Sequence, residues 1–218
     1  TINTPNFYNI YLDEIKDIPP ENLGFVGFSN VHYNNMGVLT SNSMREGIAK
    51  DRLHSQYGAC KIYECSTGDV NNMNWPTETS VVWAVFHMLS IISFDNILKI
   101  HPLTPLCNWT ALADEDMNLE AMVAGMDNLW IPHIEYVHPL RRNPGYGGPH
   151  RAYDVMRSNF TKKWGVTWGI DNYTDEDISG LLERYPNSRL HKFAARNTYE
   201  YISAAEYYKK GGHSGWEH

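Results

Sequence analysis

The sequence predicts an α/β fold built on a mixed central sheet, and three observations lead there. From residue 119 onward, short apolar runs alternate with longer amphipathic ones in the order strand, strand, helix, strand, helix, strand. The apolar run ending at 138 leads into a glycine-rich turn and then into a helix-compatible run over 150–163. Thr174, with Asp177 three residues later, marks a helix start, because a hydroxyl cap and a carboxylate at that spacing satisfy free helical amides reciprocally. With 218 residues, one domain is the default and two small ones are the alternative.

The elements follow in order. Residues 7–12 read as a short aromatic strand, and Asp17-Ile18-Pro19-Pro20 breaks the chain after it. Residues 23–31 form a strand with embedded glycines. A helix fits 43–54, capped by Ser41 or Ser43; 59–65 alternates like a strand; 69–79 is a polar loop. The longest apolar segment, 79–100, reads as a buried helix broken near Ser93, with a strand followed by a helix as the alternative. Residues 107–113 and 119–124 are strand candidates around an acidic turn at 114–116. A hairpin turn at 125–128 enters the strand 129–138. Beyond the helix at 150–163 come a strand at 165–171, a helix at 175–185 stopped by Pro186-Asn187, and a strand at 190–195. Residues 199–210 fit either a short helix or a strand. The many scattered Asn residues point to turns.

Composition excludes several function classes. A net charge of −7 argues against a general nucleic-acid binder, which needs a basic face, although Arg141, Arg142, Arg151 and Arg157 allow a local basic patch. Cys60, Cys65 and Cys107 are odd in number and lack metal-ligand spacing, which points to a reducing compartment and a cytoplasmic location. The initial Thr is what removal of an initiator Met would leave. The apolar stretch 81–92 is too short to cross a bilayer, so no membrane partner is expected. The His residues show no ligand spacing, so no metal is expected. Cys107 lacks a nucleophile motif and reads as a buried thiol, and Trp164, Trp168 and Tyr173 read as core packing.

The stretch Val137-His138-Pro139-Leu140-Arg141-Arg142-Asn143-Pro144-Gly145-Tyr146-Gly147-Gly148 carries the chemistry. A strand, a basic glycine-rich turn and a helix make a site for a phosphate-bearing ligand. The first amides of the helix converge, its dipole favours anions, and glycine lets the backbone come close.

The pattern Val137-His138-Pro139-x-x-Arg142-x-x-Gly145-x-Gly147 resembles the acyl-CoA signature of the GNAT acyltransferase superfamily, and the resemblance covers roughly residues 119–195. It implies a mostly antiparallel central sheet with helices on both faces. Within a single domain, residues 116–218 would form the acyl-CoA-binding core, and 1–115 an enlarged part shaping the acceptor site. The implied reaction is direct transfer of an acetyl or other acyl group from coenzyme A to a small-molecule or protein amine in a ternary complex. The diphosphate would rest on amides of Arg142, Asn143, Gly145, Tyr146, Gly147 and Gly148; Pro144 and Pro149 each remove a donor. The amide near Val137 would polarise the thioester carbonyl. The pantetheine arm would slot between strands 129–138 and 165–171.

The family's general acid, a Tyr on a late helix, has two competing locations. Residues 178–187 have the right topological place but carry Leu182; residues 201–212 place Tyr208 at a better spacing but close to the chain end. A base is needed if the amine arrives protonated. Glu135 and His133 share one strand face and are the candidates, each equally readable as a rim residue. Two alternatives stand beside the transferase. One is a protein of the same fold with altered chemistry, a nucleobase modifier or a binder; the other is a non-enzymatic interaction or structural protein.

Overall fold

The computed structural model describes residues 2–31, 45–46, 78–82, 85, 89–101, 112–136, 150–166, 174–190 and 202–209. They form an α/β protein with a mixed sheet. In chain order the elements are α1 (Phe7–Ile15), β1 (Leu23–Val31), β2 (Arg45–Glu46), β3 (Ser80–Val82), β4 (Ser90–Ile91), α2 (Phe94–Ile97), α3 (Leu112–Val123), β5 (Asp127–Tyr136), α4 (His150–Trp164), α5 (Asp175–Arg184), β6 (Ile202–Ser203) and α6 (Ala204–Lys209). The strand order is β2-β1-β5-β3-β6, with β4 also on β1. Among these strands the pairings are antiparallel except for β1 with β5, which run parallel at the centre. Strands β1 to β4 come from the first 115 residues, so the N-terminal part is woven into the same sheet as β5.

Alternation along the central strands builds two core clusters. Val26, Phe28, Leu129 and Ile131 pack with Tyr11 of α1, Phe160 and Trp164 of α4, and Ile178 and Leu181 of α5. Phe25 and Trp130 alternate with them and pack with Val82, Val85, Ile100 and Met126. Helix α3 serves both, through Leu119 and Met122 on one side and Ala121 on the other.

The parallel pair is irregular, and side chains close its gaps. Between Leu23↔Asp127 and Val26↔Leu129, β1 carries one residue more than β5. The amide of Phe25 falls in that gap and donates to Asn128 Oδ1 at 3.1 Å. Residue 24 must be glycine, since a Cβ there would stand 2.7 Å from Asn128 Oδ1 and 2.9 Å from the Asp127 carbonyl. Asn128 Nδ2 donates to the Asn118 carbonyl, and the Asn118 amide grips Val85 through both its N–H and its C=O. Asn96 Nδ2 donates to the carbonyls of Pro20 and Leu23. These Asn residues are buried staples rather than turn residues. Their amides offer a donor and an acceptor to backbone groups that the ladder leaves open.

Several expectations hold. Strand β1 and helix α4 form over the expected residues, and α5 starts at a full capping box in which Thr174 Oγ1 accepts from the Asp177 amide and Asp177 Oδ2 from the Thr174 amide. The tail is both strand and helix, β6 then α6. The parting of 79–100 follows the strand-then-helix alternative, with β3 and β4 preceding α2.

Other expectations are corrected. Residues 7–12 belong to a helix, because Phe7, Ile10, Tyr11 and Ile15 make one apolar stripe toward the core. Residues 112–123 are one helix rather than strands around an acidic turn. Asp116 faces inward and accepts from Lys163 Nζ and Trp164 Nε1, each at 2.8 Å. Gly125, at φ 83°, ends that helix and does not make a hairpin; Met126 N donates to Ala121 O and Gly125 N to Met122 O, a Schellman stop. Arg45–Glu46 is strand, recruited by Asn30 and Val31, where a helix is expected. Residues 165–166 make a bend and Leu190 lies in a turn; the rest of the expected strands at 165–171 and 190–195, and the one at 59–65, lie outside the described residues.

Replacing Asn128 by Leu strands the Phe25 amide in the core and lowers unfolding free energy by about 1–3 kcal/mol. Thr174→Ala, at an exposed cap, costs about 1 kcal/mol. Chemical denaturation of the two variants beside the wild type checks both the sizes and their order.

Candidate functional site

The second irregularity of the parallel pair builds the site. From Phe28 to Ser29 β1 advances one residue, while β5 advances from Ile131 to Glu135. Pro132, His133 and Ile134 therefore bulge out of the ladder. Pro132 has no amide to give it, and Ser29 Oγ closes the gap by donating to the Pro132 carbonyl at 2.7 Å. Along β5, His133 and Glu135 are the positions that are not buried. The bulge thus presents His133, and Glu135 follows it, half-buried and back in register with Ser29.

His133 is held from two other elements. Its Nε2 lies 3.1 Å from Glu14 Oε1 on α1. Glu14 Oε2 accepts from Thr79 Oγ1 at 2.5 Å, just ahead of β3. Thr79 is 5% exposed, whereas the side chains of His133 and Glu14 are 42% and 31% exposed. The arrangement is an open imidazole, a half-open carboxylate behind it, and a buried hydroxyl behind that. Glu135 is anchored through its backbone: its amide donates to Thr4 Oγ1 at 2.8 Å, and its carbonyl accepts from the Asn3 amide at 2.9 Å. Ile2 bridges to Tyr136 on the same edge.

Glu14 and Thr79 were not among the residues nominated from sequence. Reading 7–12 as a strand leaves Glu14 in a loop, and no motif surrounds Thr79; only the packing of α1 on β5 joins them to His133.

Tyr208 lies elsewhere. Its hydroxyl donates to Asp127 Oδ2 at 2.7 Å, at the opening of β5, where Arg189 Nε also stands 3.7 Å from Asp127 Oδ1 and donates to the Gly125 carbonyl. Asp127 opens β5, whereas His133 lies in the bulge beyond Ile131; the four ladder steps from Asp127 to Ile131 alone span roughly 13 Å at ~3.3 Å per residue. Glu135 and His133 are the accessible residues toward the end of β5, and Tyr208 contacts its first residue. The phenol of Tyr11 is pushed above its ordinary value by burial and then by Tyr8, and it belongs to the packing of α1.

Val137, Arg142, Asn143, Gly145, Tyr146, Gly147 and Gly148 lie outside the described residues. Their frame does not: β5 runs to Tyr136 and α4 begins at His150. The expected slot for a pantetheine arm is filled along Asp127–Tyr136. β1 takes one edge of β5, and β3 followed by residues 2–4 takes the other. Among the described residues, no cluster of His, Cys, Asp and Glu could hold a metal ion, and no helix is long and apolar enough to cross a membrane.

The chain matches no family model, and no curated protein or solved structure is significantly similar to it.

Tyr208→Phe removes a hydrogen bond to a buried carboxylate and lowers stability by about 1.5–3 kcal/mol. Because the site lies in the bulge beyond Ile131 and Tyr208 contacts the first residue of β5, ligand affinity and turnover measured on the folded variant stay at wild-type values.

Proposed function

We propose that this protein is a group transferase whose donor seats its diphosphate on the turn after β5, with His133 and Glu135 as candidates to deprotonate the acceptor. One observation carries the reading. The bulged end of β5 presents its two accessible ionisable residues just before the basic, glycine-rich turn, and a fifteen-residue helix begins directly after that turn. Amides at a helix start and an arginine at the turn attract a diphosphate from one side. A base a few residues upstream lies within reach of a group carried by that diphosphate.

The donor that the 137–147 stretch implies is acetyl-CoA or another acyl-CoA, and the acceptor an amine. In this reading the amine loses a proton to Glu135 or His133 and attacks the thioester directly, with no covalent enzyme intermediate. The backbone amide near Val137 stabilises the developing oxyanion.

A second reading has its own support. The parallel strands β1 and β5 end on the same side of the sheet, and the crevice beyond the carboxyl ends of parallel strands is the usual ligand position in open α/β sheets. With both edges of β5 occupied, a donor that needs no gap between strands, such as a nucleoside diphosphate carrying a group other than acyl, suits this position.

Thermal unfolding in the presence of acetyl-CoA, and separately of nucleoside diphosphates, tests both readings. A ligand at one hundred times its Kd adds about 2.7 kcal/mol, a rise of several degrees in Tm. The rise disappears in Arg142→Glu and Gly147→Trp. A shift with acetyl-CoA, followed by thiol release with an amine panel, supports acyl transfer. A shift with nucleoside diphosphates alone supports the second donor. No shift with either class, at saturating concentration, ends the transferase reading.

A further inference from the structure

We propose that Thr79, Glu14 and His133 form a relay that fixes one tautomer of the His133 ring and leaves Nδ1 as the proton acceptor of the site. The inference rests on the transferase reading for the identity of the proton's source, and on geometry alone for the state of the ring.

The geometry runs from the inside outward. Thr79 is buried, and its backbone is tied on the far side, where its carbonyl accepts from the Ala204 amide at 2.8 Å. Its hydroxyl therefore has a fixed origin, and it donates to Glu14 Oε2. A carboxylate held at one oxygen cannot swing freely, so Oε1 stays in ion-pair contact with His133 Nε2, 3.1 Å away. A carboxylate only accepts hydrogen bonds, so a hydrogen on Nε2, beside Glu14, is favoured over one on Nδ1. In the neutral ring the other nitrogen, Nδ1, then keeps its lone pair. Among the described residues Nδ1 has no hydrogen-bond partner, and the side chain is 42% exposed. The ring sits in the bulge, where the ladder does not constrain the strand.

A carboxylate behind an imidazole does two things in catalysis. It selects the tautomer, and it stabilises the imidazolium that forms when the ring takes a proton. Here the acceptor's N–H or O–H proton passes to His133 Nδ1. The freed lone pair forms the bond to the transferred group. The bond from that group to the donor breaks, its electron pair leaving with the donor. The imidazolium then returns its proton to the leaving group or to water. His133 is the base; Glu14 and Thr79 are positioning residues.

Ring nitrogen NMR on the ¹⁵N-labelled full chain, recorded across alkaline pH, reads the tautomer without any donor present. The wild type should show His133 as the Nε2–H form, with Nδ1 unprotonated. Glu14→Gln and Thr79→Val should yield a mixture of both tautomers while the melting curve stays cooperative, and Thr79→Ser should restore the single form. A wild-type ring that is Nδ1–H or already mixed overturns the relay, as does a Glu14→Gln spectrum unchanged from wild type. Should a variant fail to fold, the wild-type spectrum still decides. With a donor in hand, His133→Gln should lower kcat about 100-fold at unchanged donor KM; unchanged kcat overturns the base role. A correct tautomer with no donor bound would count against group transfer and leave the relay standing.

Discussion

Strand β5 has neighbours on both edges, and the rest of the fold answers to that. β1 lies on one edge, β3 and residues 2–4 lie on the other, and the residues from Asp127 to Pro132 are buried. In such a place every backbone donor and acceptor must find a partner without water. Where the parallel ladder slips, a side chain takes over: Asn128 for the Phe25 amide, Ser29 for the Pro132 carbonyl, Thr4 for the Glu135 amide. The glycine at 24 exists to let Asn128 do this. The buried Asn128 is thus a consequence of parallel pairing between strands of unequal regularity.

The same constraint sets the chemistry. β5 offers its most exposed side chain where it leaves the ladder at Pro132, a residue that cannot serve the ladder in any case. His133 emerges there with Glu14 and Thr79 behind it. A ring held on one side and open on the other, at the end of a strand that leads into a basic glycine turn, is suited to taking a proton from a molecule bound beyond Tyr136. At the other end of β5, Asp127 accepts from Tyr208 and stands beside Arg189, which ties the C-terminal segment to the sheet.

Elements with local signals were legible in the sequence. β1 is bounded by Pro19-Pro20, α5 by its capping box, and α4 by a clear helical run between glycines. Elements whose logic is tertiary were not. The inward face of α3 carries Asp116 and Asn118, polar residues whose partners Lys163, Trp164 and Val85 lie far along the chain, so a buried helix face looked like an acidic turn. The aromatic alternation of 7–12 hid the wider helical stripe that includes Ile15. At the site, His133 and Glu135 were visible as polar interruptions of an apolar strand. Glu14 and Thr79 were invisible, because nothing local marks a residue that acts by touching another element.

The account turns on where a donor's diphosphate comes to rest. Hydrogen–deuterium exchange on the full chain, with and without saturating acetyl-CoA or nucleoside diphosphate, locates it most directly. Protection should appear in peptides spanning 137–150 and at the first turn of α4, with little change around Asp127. Protection confined to any other segment, with 137–150 exchanging as in the free protein, would contradict it.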